Sequence, residues 1–205
     1  MKGIIGKKLG MTSIYDPQGK QTACTIIEAG PCIVTQVKTK DTDGYDASQL
    51  SYGDKKESRT TLPEKNHFAK ANTSAKKISK EFRGFSIEKN IGEAITVDIF
   101  EEGEKVNVVG TTKGKGFQGV VKRHGFHGVG EQSHGQHDRQ RAPGSLGNSS
   151  DAARVMKGMR MAGRMGGERV KMKGLKVVKI FPEKNYILVS GSVPGHIGSI
   201  VLVQN

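Results

Sequence analysis

The clearest indication of the architecture is in Leu175–Ser190, LKVVKIFPEKNYILVS. Two runs rich in apolar and β-branched residues, Leu175–Phe181 and Tyr186–Ser190, flank the turn sequence PEKN, and this arrangement predicts a β-hairpin. Ile200–Val203 has the same character and is predicted to close the chain as a short strand. The C-terminal part of the chain is therefore expected to be β-structure.

The same pattern recurs in the first half of the chain. Thr22–Glu28 (TACTIIE) and Cys32–Lys38 (CIVTQVK) are joined by Ala-Gly-Pro, which predicts a second hairpin. Ala94–Phe100 and Lys105–Val109 alternate apolar and polar residues and are predicted strands. Many short strands with Gly and Pro turns favour a small barrel or a sandwich. A parallel α/β sheet is disfavoured because no helical pattern of about 10–15 residues separates the strands.

Composition narrows the function classes. The 205 residues include 33 Lys and Arg against 20 Asp and Glu, a formal net charge of +13, which favours a polyanionic partner such as nucleic acid or an anionic membrane surface. No apolar run approaches the ~20 residues of a membrane span, and the N-terminus does not resemble a secretory signal. Cys24 and Cys32 cannot form a disulfide scaffold. We therefore expect a cytoplasmic protein with two reduced, buried thiols.

The positive charge is concentrated in residues 111–173, the basic segment. It carries 13 Lys and Arg against four acids, a net +9, and 13 of the 28 glycines. Because it lacks a sustained period of 2 or 3.6, it cannot build its own core and is predicted to order on a partner. The flanking residues 1–110 and 174–205 are then the β-structured body. Within that body, residues 54–93 are polar and lysine-rich, predict a surface insertion, and contain a helix candidate at Pro63–Ala71.

The six-residue stretch 114–119 (GKGFQG), with three glycines, follows a predicted strand and matches the dinucleotide fingerprint G-x-G-x-x-G. That fingerprint requires a βαβ unit and an acidic residue about 20 positions further on. Asp138 has roughly this spacing, but no second strand is predicted beside it. We interpret the glycines instead as residues that allow the backbone to approach a phosphate chain closely.

Four histidines, His124, His127, His134 and His137, form an HxxH…HxxH array that could indicate zinc. Neither cysteine is near them, and the surrounding lysines and arginines would repel a dication, so contacts with nucleic acid are favoured and no metal is expected. No GxSxG motif occurs, and no cysteine lies near a histidine in sequence, so nucleophilic catalysis has no support.

The leading hypothesis is a structural RNA-binding protein. The alternatives are an enzyme acting on RNA or nucleotides, and a free translation factor or RNA chaperone.

Four stretches resemble the ribosomal protein L3 (uL3) family of the bacterial large subunit: MKGIIGKKLGMTSIY, GTTKGKGFQGVVKRHGFHG, RAPGSLGN and KGMRMAGRMGGERV. The likeness runs nearly end to end. It implies a mainly β fold, with a translation-protein-type β-barrel built from both ends of the chain, a small α+β insertion, and a long basic extension through ribosomal RNA toward the peptidyl-transferase centre. It also implies early assembly of the large subunit, no catalysis and no cofactor. The implied partners are 23S ribosomal RNA and neighbouring proteins such as L14 and L19.

The expected site residues lie on the two arms and the tip of this extension. Cations on the arms are predicted to neutralise phosphates where RNA strands pack closely. They are Lys113, Lys115, Lys122, Arg123, Arg139, Arg141, Arg154, Lys157, Arg160 and Arg164. By the resemblance, the tip lies around Gly144–Asp151 and includes Gly144, Ser145, Gly147, Asn148 and Ser150. Many bacterial relatives carry a methylated glutamine there; the matching position in this sequence is Ser150, so the resemblance does not imply that modification for this chain.

Overall fold

Strands dominate the computed structural model, which describes residues 2–16, 18–85, 90–130, 134–147 and 150–205. The strands are β1 Gly3–Tyr15, β2 Gln21–Ala29, β3 Cys32–Lys38, β4 Ala47–Asp54, β5 Lys76–Arg83, β6 Ala94–Ile95, β7 Lys105–Thr111, β8 Phe117–Gln118, β9 Gly163–Arg164, β10 Arg169–Phe181, β11 Tyr186–Ser190 and β12 Ile200–Gln204. The helices are α1 Lys40–Asp43, α2 Leu62–Ala69 and α3 Val120–His124. Described pairings between strands are antiparallel.

Six strands from both ends of the chain close into a barrel in the order β1-β12-β7-β10-β11-β2. Alternate residues of these strands point inward, so Val106 and Val108 are buried while Lys105 is exposed. Ile4, opposite Val203, and Ile27, opposite Ile187, belong to the same core. The mainly β fold with a barrel is confirmed, and the barrel replaces the sandwich alternative.

The hairpin predicted at Leu175–Ser190 is confirmed. Ile180 lies opposite Ile187, and Phe181 lies opposite Tyr186. Between these strands, a single 3₁₀ turn over Pro182–Lys184 ends at Asn185, whose amide N–H donates to the Pro182 carbonyl oxygen at 3.1 Å.

The hairpin predicted between Thr22–Glu28 and Cys32–Lys38 is wrong. Both segments are strands, but β2 pairs with β1 and β11 in the barrel, whereas β3 pairs with β4 and β6 in a second sheet. The connection is tied to the barrel because the Gly30 N–H donates to the Ile5 carbonyl oxygen at 3.2 Å. The chain therefore passes from one sheet to the other at this point.

The second sheet has four strands in the order β5-β4-β3-β6 and shares a continuous hydrophobic core with the barrel through residues such as Leu50 and Phe82. The helix expected at Pro63–Ala71 is observed as α2. Its first turn is capped because the backbone N–H of Thr61 donates to the Glu64 carboxylate at 3.0 Å. The polar residues 54–93 thus contain α2 and contribute β5 to the second sheet, in which β5 pairs with β4.

The single strand predicted at Ala94–Phe100 is wrong. Only Ala94–Ile95 is a strand, and Val97–Ile99 forms a 3₁₀ turn. The turn is held by a hydrogen bond of 3.1 Å from the Phe100 N–H to the Val97 carbonyl oxygen. It places Ile95, Val97 and Phe100 in the core together, although their spacing does not follow the period of a strand.

Two compact units make up the chain: the body, Met1–Thr112 with Arg169–Asn205, and the extension, Lys113–Glu168. The charge-based limits at 111 and 173 are wider than these structural limits. Arg169, Lys171 and Lys173 are cations of the barrel strand β10, which pairs with β7 up to the opposed residues Thr111 and Arg169. No helix among the described residues is long and apolar enough to cross a membrane.

Candidate RNA interface

The two arms of the extension are joined at its root. Phe117 lies opposite Arg164, and the flanking backbone adds hydrogen bonds of 2.9 Å from the Lys115 N–H to the Met165 carbonyl oxygen and 3.0 Å from the Met165 N–H to the Gly116 carbonyl oxygen. Gly166, at φ +72°, is required here because a Cβ atom would lie 2.0 Å from the Lys113 carbonyl oxygen. The glycine therefore lets the arms approach closely.

Helix α3 adds a second link between the arms. Gly125 caps its C-terminus, and its last turn carries Lys122, Arg123 and His124, a placement that suits the negative end of a helix dipole. Arg123 Nη1 donates to the Met161 carbonyl oxygen at 2.7 Å, and His124 Nε2 lies 3.0 Å from the same oxygen. Arg123 is half-buried as a result. Part of its hydrogen-bonding capacity thus holds the returning arm in place.

The other nine predicted cations of the extension are exposed. Ion pairs among the described residues all lie in the body, and none involves these nine side chains or Arg123. An exposed cation without a carboxylate partner is available for an anionic ligand. The nine are Lys113, Lys115, Lys122, Arg139, Arg141, Arg154, Lys157, Arg160 and Arg164.

The dinucleotide interpretation of residues 114–119 finds no support in the geometry. The fingerprint needs a parallel βαβ unit, whereas β8 and β9 are antiparallel and α3 has only five residues. Gly116 has φ +68° and its carbonyl oxygen accepts the Met165 N–H, so it serves the arm pairing instead.

The four histidines of the extension do not come together. His124 binds the Met161 carbonyl oxygen, whereas His127 lines a cavity of about 460 Å³ with Phe126 and Arg139. His134 and His137 are exposed. In the part of the chain that the structure describes, no three His, Cys, Asp or Glu side chains are grouped as metal ligands.

The described part of the tip contains a glycine with a left-handed backbone and a short 3₁₀ turn. Gly144 has φ +78°, which favours glycine, and the Ser145 hydroxyl donates to the Gly147 carbonyl oxygen at 3.1 Å. Ser150 begins a 3₁₀ turn, Ser150–Ala152. Asn148 lies outside the described residues. Ser145 and Ser150 are exposed, so hydroxyl groups are presented to whatever surrounds the tip.

Comparison with known proteins agrees with the motifs on these arms. The family profile described as Ribosomal protein L3 matches residues 55–184, which include the whole extension. The protein named "Large ribosomal subunit protein uL3" from Salinibacter ruber (strain DSM 13855 / M31) is 54% identical over 194 residues, 94% of this chain and 93% of that protein. The chain belongs to the ribosomal protein L3 family. It is thus a ribosomal protein of the large subunit, and the resemblance seen in the sequence is confirmed.

Sequence reasoning counted three further cations in the basic segment of this L3 family member without choosing them as site residues. Arg169, Lys171 and Lys173 are exposed on β10, the barrel strand that leaves the extension. Their spacing of two residues was the available signal, because alternate residues of a strand lie on one face. They add three exposed cations to the body, directly after the extension in the chain.

Proposed function

We propose that the chain is a structural rRNA-binding protein that acts early in assembly of the large subunit and supports the RNA near the peptidyl-transferase centre. One observation carries the proposal: the extension joins its arms at the root and presents nine exposed cations that have no carboxylate partner among the described residues. Such cations neutralise phosphates and release counterions. The 23S ribosomal RNA is the proposed ligand.

The distribution of charge supports a positioning role without chemistry. Lys113–Glu168 holds ten Lys and Arg against four acids, so the extension has a net charge of +6. Phosphate contacts set the register and orientation of a protein on RNA without bringing a reacting group into place. We therefore propose that the chain is not an enzyme and that it needs no cofactor.

The body is the proposed contact for neighbouring proteins of the subunit, among which the family likeness suggests L14 and L19. The barrel and the second sheet share one core, so the body can present a rigid outer surface. Cross-linking in assembled subunits, followed by mass spectrometry, tests this part. This part would be contradicted if the body cross-linked to other proteins and to neither L14 nor L19.

Charge reversal on the two arms tests the proposed function. Replacing Arg141 or Arg154 with Glu puts a carboxylate among phosphates and is expected to slow assembly, seen as fewer mature large subunits on sucrose gradients. Lys65→Glu on α2 is the matched control, because Lys65 is exposed and lies in the body. Normal gradients for both arginine variants would contradict an assembly role.

Two further measurements separate the competing functions. A structural protein remains with the large subunit through a high-salt wash, whereas release by the wash would indicate a factor or chaperone. Single replacement of His127, His134 or His137 with Ala is expected to leave peptide-bond formation by purified particles intact. Loss of peptide-bond formation in normally assembled particles would instead indicate that a histidine takes part in the chemistry.

A further inference from the structure

A groove with a cavity volume of about 480 Å³ runs along the body between β5 and the barrel. Ile78 from β5, Val109 from β7 and Leu202 from β12 form its apolar lining. Lys77, Lys80 and Arg169 add cationic side chains to it. No local sequence pattern marks this groove, because the strands that form it are separated by many residues.

The cations of this groove are available to a ligand. Lys77, Lys80 and Arg169 are exposed, and none is in an ion pair with another described residue. The adjacent Lys76 differs, since its ammonium group lies 2.7 Å from the Asp54 carboxylate. Among the described residues no Asp or Glu lines the groove, so its three positive charges have no described carboxylate beside them there.

The outer edge of β5 adds backbone hydrogen-bond donors to the groove. β5 is the outer strand of its sheet and pairs with β4 in the described part of the chain. An antiparallel ladder uses the N–H groups of alternate residues, so the remaining N–H groups of β5 are presented at its outer edge. Sheet edges with such donors form concave sites for anions.

The groove also begins where the extension leaves the body. Thr111 and Arg169 both line the groove and lie opposite each other as the last pair between β7 and β10. Beyond Thr111 the chain enters the extension within two residues, and it returns at Arg169. Two residues that line the groove are thus next to the limits of the extension in the chain.

We infer that this groove binds the sugar–phosphate backbone of an RNA strand, as a second RNA contact on the body. The inference rests on the proposed function, since it assigns a further surface to the same ligand. RNA fits better than an acidic protein segment, because phosphates repeat along a strand and can meet several cations at once. The apolar lining can cover the faces of riboses between the phosphates.

Directed hydroxyl-radical cleavage tests the inference in reconstituted large subunits. Thr111→Cys places a thiol in the groove for an iron chelate, and Ser145→Cys does the same at the tip; both positions are exposed. The native Cys24 and Cys32 are buried, so the introduced thiols are modified selectively. We expect the Thr111→Cys chelate to cleave a compact set of rRNA nucleotides that differs from the set cleaved from the tip.

The outcomes distinguish the two proposals. Cleavage of rRNA from the tip without cleavage from the groove would overturn the groove inference and leave the proposed function unaffected. If neither chelate cleaved rRNA although both proteins were incorporated into subunits, both proposals would be contradicted. Cross-linking of the Thr111→Cys thiol to another protein, in place of rRNA cleavage, would identify a protein occupant and also overturn the inference.

A binding measurement with the full chain completes the test. The double variant Lys77→Ala with Lys80→Ala is expected to weaken binding to naked large-subunit rRNA about tenfold. It is also expected to lower the slope of log K against log salt by the equivalent of about one to two phosphate contacts. Lys56→Ala with Lys65→Ala removes the same charge from exposed body positions outside the groove. Equal losses from both pairs would show that only net charge matters and would contradict a specific groove contact.

Discussion

Replacing Arg154 and Arg160 together with alanine perturbs the phosphate contacts of the extension without adding a repulsive charge. Both side chains are exposed on the returning arm, and neither is in an ion pair among the described residues. Their removal is therefore expected to leave the fold of the extension intact and to reduce its affinity for RNA. Lys56→Ala with Lys65→Ala in the body is the matched control, because it removes two exposed charges from the other unit.

The expected magnitude follows from the number of exposed cations. Each neutralised phosphate contributes about 0.7 to the slope of log K against log salt for single strands and about 0.9 for duplexes. If all nine exposed cations make one contact each, the slope is about −6 to −8, and a fourfold rise in salt weakens binding about 10⁴–10⁵-fold. Losing two contacts lowers the slope by about 1.4–1.8, so the same rise in salt costs about tenfold less affinity.

Filter binding of the full chain to a naked fragment of large-subunit rRNA, measured at several concentrations of KCl, gives both slopes. The control pair is expected to keep the slope of the unmodified chain. A double arginine variant with an unchanged slope would refute the phosphate contacts at these positions. A slope near zero for the unmodified chain would show that stacking or shape recognition, and not charge, governs binding.

Three further outcomes are expected. Gly166→Ala should speed amide hydrogen exchange at the root of the extension, since its Cβ would meet a backbone carbonyl oxygen of the opposite arm at 2.0 Å; Gly167→Ala, at φ +70° with nothing within 4 Å, is the control. A hydrogen bond from the Lys55 ammonium lowers the pKa of the Glu64 carboxyl to about 2, so Glu64→Gln should lower the melting temperature at pH 7 and lose this effect as the pH falls toward 2. Burial raises the pKa of the Cys32 thiol to about 12, so it should react with a disulfide reagent at pH 8 only after unfolding.

The β-structure of the body was predictable because its strands obey a simple period. In β7, Lys105 is exposed while Val106 and Val108 are buried, and this alternation is visible in the sequence. The hairpin at Leu175–Ser190 was predictable for the additional reason that its strands are close in the chain and their turn is short. In this hairpin the hydrophobic period of each strand and the pairing of neighbouring strands predict the same structure.

Strand partners were not predictable where the better partner is distant. β2 and β3 are separated by two residues, yet they join different sheets, because β2 completes the barrel beside β11 and β3 pairs with β4. Periodicity reports which face of a strand is buried and contains no information about which strand lies beside it. The same limit hid the groove, whose walls come from β5, β7 and β12.

The positive charge of the candidate site was predictable from the sequence, whereas the hydrogen bonds between the arms were not. Counting cations identified the basic segment, but the bonds from Arg123 and His124 to the Met161 carbonyl oxygen join residues 37 or 38 positions apart. No sequence pattern marks such a contact. It shows that one predicted RNA ligand, Arg123, also has a structural role.

The hydrogen bonds of the extension predict how it behaves without RNA. Those between its arms are concentrated at the root, and within 126–160 the N–H groups of Arg139, Ala142, Ala153 and Met159 each donate to a carbonyl oxygen only three residues back. Short turns of this kind do not offset the entropy of ordering a basic chain, so this part is expected to be ordered by RNA. Limited trypsin digestion of the full chain should therefore cut first after Arg139, Arg141 or Arg154 and leave the body whole. Cleavage confined to the body, with residues 134–147 and 150–165 protected, would refute this account, and added rRNA should slow the cuts in the extension.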